Sequence, residues 1–226
     1  MAVVTLALTA FDSSGAKTMA PLKPPAPAGR FLPAASPLPT VIAKVGDLRL
    51  LMPIPASRVT AVGYHAAGSG TLALQPVGRQ GNEGFLARLG HKLFGGGGSG
   101  QVWYQIGGGQ GPQTGGLDIG APAGTSVYSP VDGRVVGVTP YIVDGRAFGD
   151  RVDLQPSRAP SVVVSLTHLL APKSLSVGST VTSSQSLIGT VTDLSKVESQ
   201  ALARFTNDAG NHVAITVRPA ETLTLS

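Results

Sequence analysis

Cysteine is absent from this 226-residue chain, which removes disulfides, thiolate metal sites and cysteine nucleophiles from consideration. Aromatic residues are scarce at 5%, and charged residues make up only 13%. The formal net charge of +5 therefore reflects a shortage of acids more than clusters of Lys and Arg. No basic run interleaved with aromatics occurs, so nucleic-acid binding has no local support. What remains is a mildly basic surface, compatible with anionic wall polymers or lipid headgroups. Long apolar runs are lacking too. The most apolar stretch, Ala2 to Phe11 (AVVTLALTAF), would make a helix of about 15 Å, half of the roughly 30 Å hydrocarbon core, and does not span a membrane alone. It has no positive flank, and no clear cleavage site follows it.

Glycine (30 residues) and proline (18 residues) are plentiful, and 42% of the chain is hydrophobic. Frequent turn residues with many Val and Thr predict a mainly β body with an ample core. Four stretches divide the chain. Residues 1–11 read either as the truncated part of a membrane anchor or as a strand paired with a partner. Residues 12–39, centred on KPPAPAG, have the composition of an extended Pro/Ala-rich linker. Residues 40–110 carry strand-like segments (TVIAKV, LRLLMPI, TLALQPV) that form a small β-rich subdomain or extra strands on the main body. They include NEGFLARLGHKLF, residues 82–94, where Phe85, Leu86, Leu89 and Leu93 share one helical face. Such a basic amphipathic helix lies on a membrane surface or packs on its own domain. Residues 111–226 form the last domain.

In that domain, TGGLDIGAPAGTSVYSPVDGRVVGV spans Thr114 to Val138, and its second part, SVYSPVDGRVVGV (Ser126 to Val138), alternates around Asp132 and Gly133, a strong short-range hairpin signal that gives those two residues a conformational role. VVVSLTHL (Val162 to Leu169) and HVAITV (His212 to Val217) alternate with period two, as half-buried strands do. Taken with GDRVDLQP (Gly149 to Pro156) and LSVGSTVTSSQSLIGTV (Leu175 to Val191), these make five ordered elements. In this order they resemble the LytM/lysostaphin-type zinc endopeptidases, the duplicated hybrid motif family. That family's first motif reads H-x-G-x-D-I, then A-P-x-G-T and P-x-D-G. A later strand ends in Y-x-H-L, another reads V-x-x-G-x-x-V-x-x-G-x-x-I-G-x-V, and the last reads H-L-H-F-E-V. Ser184 or Ser186 stands near a usual glycine. The resemblance implies an antiparallel β-sheet or sandwich with one or two short helices and a groove across the sheet.

In the resembled family, zinc is held by the first motif's His, the Asp four residues later and the second His of H-x-H. The Y-x-H-L histidine and the first His of H-x-H sit beside the metal. Carried over by position, the ligand places are Thr114, Asp118 and Ala214, and the neighbouring histidines are His168 and His212. A threonine hydroxyl is a poor neutral zinc ligand and an alanine methyl is none. The resemblance thus implies a degenerate member with no zinc cofactor and no catalytic residue. Asp118 is then a remnant of the metal site, and His168 and His212 are remnants of the catalytic one. The other histidines, His65 and His91, lie upstream, and both would have to swing into the groove to replace the lost ligands. Without zinc, Asp118 beside His168 and His212 is either a hydrogen-bonded cluster tying strands together or the remnant of a ligand site.

One departure from the family pattern is the joint TDLSKVESQALARFTNDAGN, where a short Gly-rich loop is usual. Ser195 and Glu198 make an S-x-x-E capping box, and Leu194, Val197, Ala201 and Phe205 follow helical spacing. A helix over 195–207 at the edge of the groove is predicted. Three functional classes fit. The first is a non-catalytic LytM-like module of the bacterial cell envelope or exterior, tethered through residues 1–11, that binds peptidoglycan or an envelope protein. The second is an active zinc-dependent peptidoglycan endopeptidase with non-standard ligands. The third is a self-assembling structural subunit of a surface filament, injection machine or virion, joined by strand addition.

Overall fold

The computed structural model describes residues 36–82, 100–195, 197 and 199–220. The expected anchor or partner strand at 1–11, nearly all of the linker at 12–39, the helix at 82–94 past its first residue, and His91 lie outside these residues. The chain divides into two units, Met1–Phe31 and Leu32–Ser226, and the second is described.

The described residues of this unit hold fourteen strands. In chain order they are β1 (Val41–Val45), β2 (Leu48–Leu51), β3 (Val62–His65), β4 (Gln75–Pro76), β5 (Arg79–Gln80), β6 (Val102–Gln105) and β7 (Gly116–Gly120). There follow β8 (Ser126–Tyr128), β9 (Gly133–Val143), β10 (Arg146–Pro156), β11 (Val162–Leu170), β12 (Thr180–Val181), β13 (Leu187–Val191) and β14 (His212–Pro219). The fold is mainly β, as expected. The 40–110 stretch serves both ways: β1, β2 and β4 form a three-stranded sheet of their own, while β3, β5 and β6 extend the large sheet. That sheet runs β12-β9-β10-β11-β14-β7-β3-β6-β5, with β13 and β8 branching from β11. No helix among the described residues is long and apolar enough to cross a membrane.

Alternation decides which side chains meet. On β7, Leu117 and Ile119 are fully buried in the core, which turns Asp118 to the opposite face. On β14, Val213, Ile215 and Val217 enter the same core and leave His212, Ala214, Thr216 and Arg218 on the other side. On β3, Val62 and Tyr64 point inward, so Gly63 and His65 face outward beside Asp118. The Tyr64 phenol anchors this strand by donating to the Ile42 carbonyl at 2.7 Å. Leu50 and Ile42 of the small sheet join the same core as Leu117 and Leu166.

Two local expectations need correction. The segment around Asp132 and Gly133 is not a hairpin: β8 pairs with β13, and β9 with β10 and β12. Asp132 instead accepts bonds from the Ser183 amide and hydroxyl, both at 2.8 Å. A Cβ on Gly133 would strike the Gln155 backbone, so closeness to β10 requires glycine there. The hairpin forms at the chain's next Asp-Gly pair. Asp144 (φ +47°) and Gly145 (φ +76°) join β9 to β10 in the two-residue geometry such pairs favour. Ser184, near the family's glycine, has φ +58° and is fully buried.

The predicted helix over 195–207 is also not found among the described residues of that segment. The described part of that segment holds one 3-10 turn, Ala201–Phe205. Asp193 captures both the Ser195 amide (3.1 Å) and its hydroxyl (2.6 Å), a local turn that competes with the helix start the capping box suggested. Leu194 and Leu202 are buried, but in different clusters or contacts rather than along one helical stripe.

Leu166 is fully buried in the main core, so Leu166→Ala is expected to cost about 2–5 kcal/mol of unfolding free energy by urea denaturation.

Candidate functional site

Strands β14, β7 and β3 lie side by side, with Ala214 and Gly63 directly opposite Asp118 on its two flanks. Both are small. The histidines sit two residues along on each neighbour, His212 opposite Gly120 and His65 opposite Gly116. Gly116 is essential to this arrangement, because a Cβ there would lie 2.7 Å from both Cε1 and Nε2 of His65. Asp118 is thus flanked diagonally by two imidazoles, His65 Nε2 at 3.2 Å and His212 Nε2 at 3.5 Å from the same oxygen.

His168 reaches the cluster by a different device. Between Val152↔Leu166 and Asp150↔Leu169, β11 carries one residue more than β10. This bulge places the backbone of His168 in the left-handed region at φ +62°. Thr167 and His168 consequently both face the cleft, while Leu166 and Leu169 both stay in the core. His168 Nδ1 lies 3.0 Å from His212 Nε2, and its Nε2 lies 3.1 Å from the Tyr141 hydroxyl on β9.

Hydrogen-bond roles assign the charge on His65. Its Nδ1 meets the Ala66 carbonyl at 2.9 Å and its Nε2 meets the Asp118 carboxylate. Both partners accept, so both ring nitrogens donate and the ring is an imidazolium. The hydrogen bond to Asp118 accordingly raises the His65 pKa to about 9, against the opposing effect of its burial. Burial alone would raise the Asp118 carboxyl, but the charge of His212 and the bond and charge of His65 outweigh it and hold it below its ordinary value. His168 goes the other way, because burial and then the neighbouring His212 push it down to about 4. The cluster therefore combines a part-buried ion pair with a neutral imidazole at its far end.

The surrounding cleft has a volume of about 360 Å³. Besides the cluster, Tyr141, Arg151, Gln200 and Arg218 line it. The inserted segment closes one end of it: Leu202 packs where a Cβ of Gly63 or Gly120 would lie, beside Ala61 and Ile106. Its position at the groove edge matches expectation, although its conformation does not.

Of the residues singled out from sequence, Asp118, His168, His212 and Ala214 line this one cleft. Thr114 does not line it. Its hydroxyl donates to the Leu74 carbonyl at 2.7 Å, tying β7's approach to the small-sheet side. The ligand set of the resembled family therefore does not fit this chain: position 214 has no donor atom and position 114 is committed elsewhere. No group of three or more His, Cys, Asp or Glu among the described residues is placed to hold a metal ion. His65 was visible from sequence only as an upstream histidine. Its signal was the alternation of VGYH, which buries Tyr64 and so turns His65 to the cleft. Tyr141, Arg151 and Arg218 carried no local motif.

Comparison with family models and with curated proteins returned no match. Among solved structures, the chain is similar to lysostaphin in solution, at 17% identity and a TM-score of 0.34, over 49% of this chain and 38% of that one. It is similar to Helicobacter pylori Csd3, at 22% identity and a TM-score of 0.31, over 47% of this chain and 24% of that one. It is also similar to the deep-sea M23 metalloprotease pseudoalterin, at 12% identity and a TM-score of 0.38, over 76% and 72% of the two chains. The matched region thus spans well under half of lysostaphin and about a quarter of Csd3.

The two shifted histidines give the folded state a pH optimum. His65 binds its proton more tightly folded than unfolded, so its contribution is full below pH 6.5 and is lost as pH rises towards about 9. His168 resists protonation when folded, so stability also falls as pH drops from 6.5 towards about 4. Melting temperature measured across this range should flatten on the alkaline side in His65→Gln. It should flatten on the acid side in His168→Asn, where asparagine tolerates the left-handed backbone.

Proposed function

We propose that this chain is a non-catalytic LytM-like module that binds peptidoglycan at the cell envelope through the cleft around Asp118. The observation that carries the reading is the His65–Asp118 ion pair. The one family ligand this chain keeps is already neutralised by a side chain of the chain itself, next to an alanine where a second ligand would stand. The ordered motifs from Thr114 to Val217 supply the connection to wall peptidases, and the cleft supplies the place for a wall segment. Its scale is that of small-ligand pockets, so it accommodates a short stretch of peptide or sugar rather than a folded partner.

One observation favours a second reading, a metal site rebuilt around His65. The 3.2 Å contact of His65 and the 3.5 Å contact of His212 to Asp118 are close to the separation of about 3.3 Å between two ligands of a tetrahedral zinc with bonds of about 2.0–2.1 Å. In that reading His65, Asp118 and His212, which are not placed to hold an ion as they stand, would move to do so, and the chain would cleave wall peptides. The binding reading is preferred because it leaves the observed ion pair in place.

Two measurements separate these readings. The full chain should pellet with purified cell-wall sacculi at moderate salt and release no soluble fragments from them. Protein that stays in the supernatant sinks the wall-binding reading. Zinc titration by calorimetry should show weak or no binding to the wild type. Ala214→His, which puts an imidazole directly opposite Asp118, should gain about tenfold or more in zinc affinity. Tight stoichiometric zinc binding by the wild type, with loss in His65→Gln, would establish the rebuilt metal site instead.

A further inference from the structure

The charges facing the cleft do not balance. Asp118 is matched by the His65 imidazolium. Arg151 is matched by Asp153, with Nε donating to the carboxylate at 2.8 Å and Nη2 to the Ser165 hydroxyl at 3.2 Å. Arg218 has no such partner among the described residues. It belongs to the cleft face of β14, and its Nε is enclosed without a hydrogen-bond acceptor. The Arg218 guanidinium lines the same cleft as the Arg151 cation, which is already spoken for. The cleft is one anion short.

Position along β14 adds direction. His212 lies at the end that Leu202 covers, while Arg218 lies six residues on, about 20 Å away along an extended strand. A ligand following β14 from the histidine cluster therefore reaches Arg218 at its far end. The two Nη groups of a guanidinium form a planar fork that pairs with a carboxylate through two parallel bonds. One unit of negative charge is what the cleft needs, which favours a carboxylate over a doubly charged phosphate.

We propose that Arg218 is the anchor for a free carboxylate on a peptide laid along β14. This deepens the wall-binding reading and rests on it only for the cleft being a ligand site. Arg218 holds the carboxylate, and the peptide chain runs towards His212, where the covered end of the cleft limits its length.

The test uses the full chain with two probes, N-acetyl-trialanine and its C-terminal amide, titrated by NMR. The wild type should bind the acid about tenfold more tightly than the amide. Arg218→Gln should bind both equally and weakly. Arg218→Lys, which keeps the charge but loses the fork, should retain part of the preference. Matching melting temperatures exclude misfolding as the cause. Equal binding of acid and amide by the wild type overturns the proposal, as does a preference that survives Arg218→Gln, or absence of binding by either probe at millimolar concentration. If the preference fails while sacculi still pellet, the anchor is wrong and the wall reading stands. If the preference holds while sacculi stay in suspension, the anchor stands and the wall reading falls.

Discussion

A carboxylate with little access to water dictates much of this structure. Asp118 is only 6% exposed, and an ionised group so placed requires compensating charge and donors. Glycine at 116 and 63 and alanine at 214 clear the space around it, and imidazoles fill part of that space from both sides. The strand register makes this possible, because a slip of one residue in β3 would exchange His65 for Tyr64 and put a phenol where the cation now sits. Core and cleft are thus two faces of one alternation: the same register that buries Leu117, Ile215 and Tyr64 presents Asp118, His212 and His65.

Much of this was legible from sequence where alternation was clean. GLDIG, VVVSLTHL and HVAITV became strands that bring Asp118, His168 and His212 to one cleft. The illegible parts had physical causes. Two Asp-Gly pairs competed for the hairpin role, and the one at 144–145 prevailed because the strands flanking it are long enough to pair over their full length. A capping box at Ser195 lost its serine to the nearer acceptor on Asp193. His65 stood 53 residues from Asp118, and nothing local reveals that β3 pairs with β7. Long-range strand order is what a single sequence hides best.

The inserted segment and the ion pair act in the same direction. Leu202 covers the groove over Gly63 and Gly120, and His65 satisfies Asp118 from within. The one closes space and the other neutralises charge, so the cleft is finished by the chain itself at one end and left unfinished at Arg218. In the proposed reading recognition is thereby displaced along β14, away from the cluster that the motifs mark.

The bulge in β11 has a consequence for how this chain can change. Because two adjacent residues, Thr167 and His168, share the cleft while Leu166 and Leu169 share the core, the strand is out of phase with itself on either side of position 168. Deleting one of the two would bring it back into phase and leave Leu166 and Leu169 in the core, but the cleft would then hold one side chain where it now holds two. The extra residue is therefore a second cleft position added without disturbing the interior, and a shift in length here would alter the cleft while sparing the core.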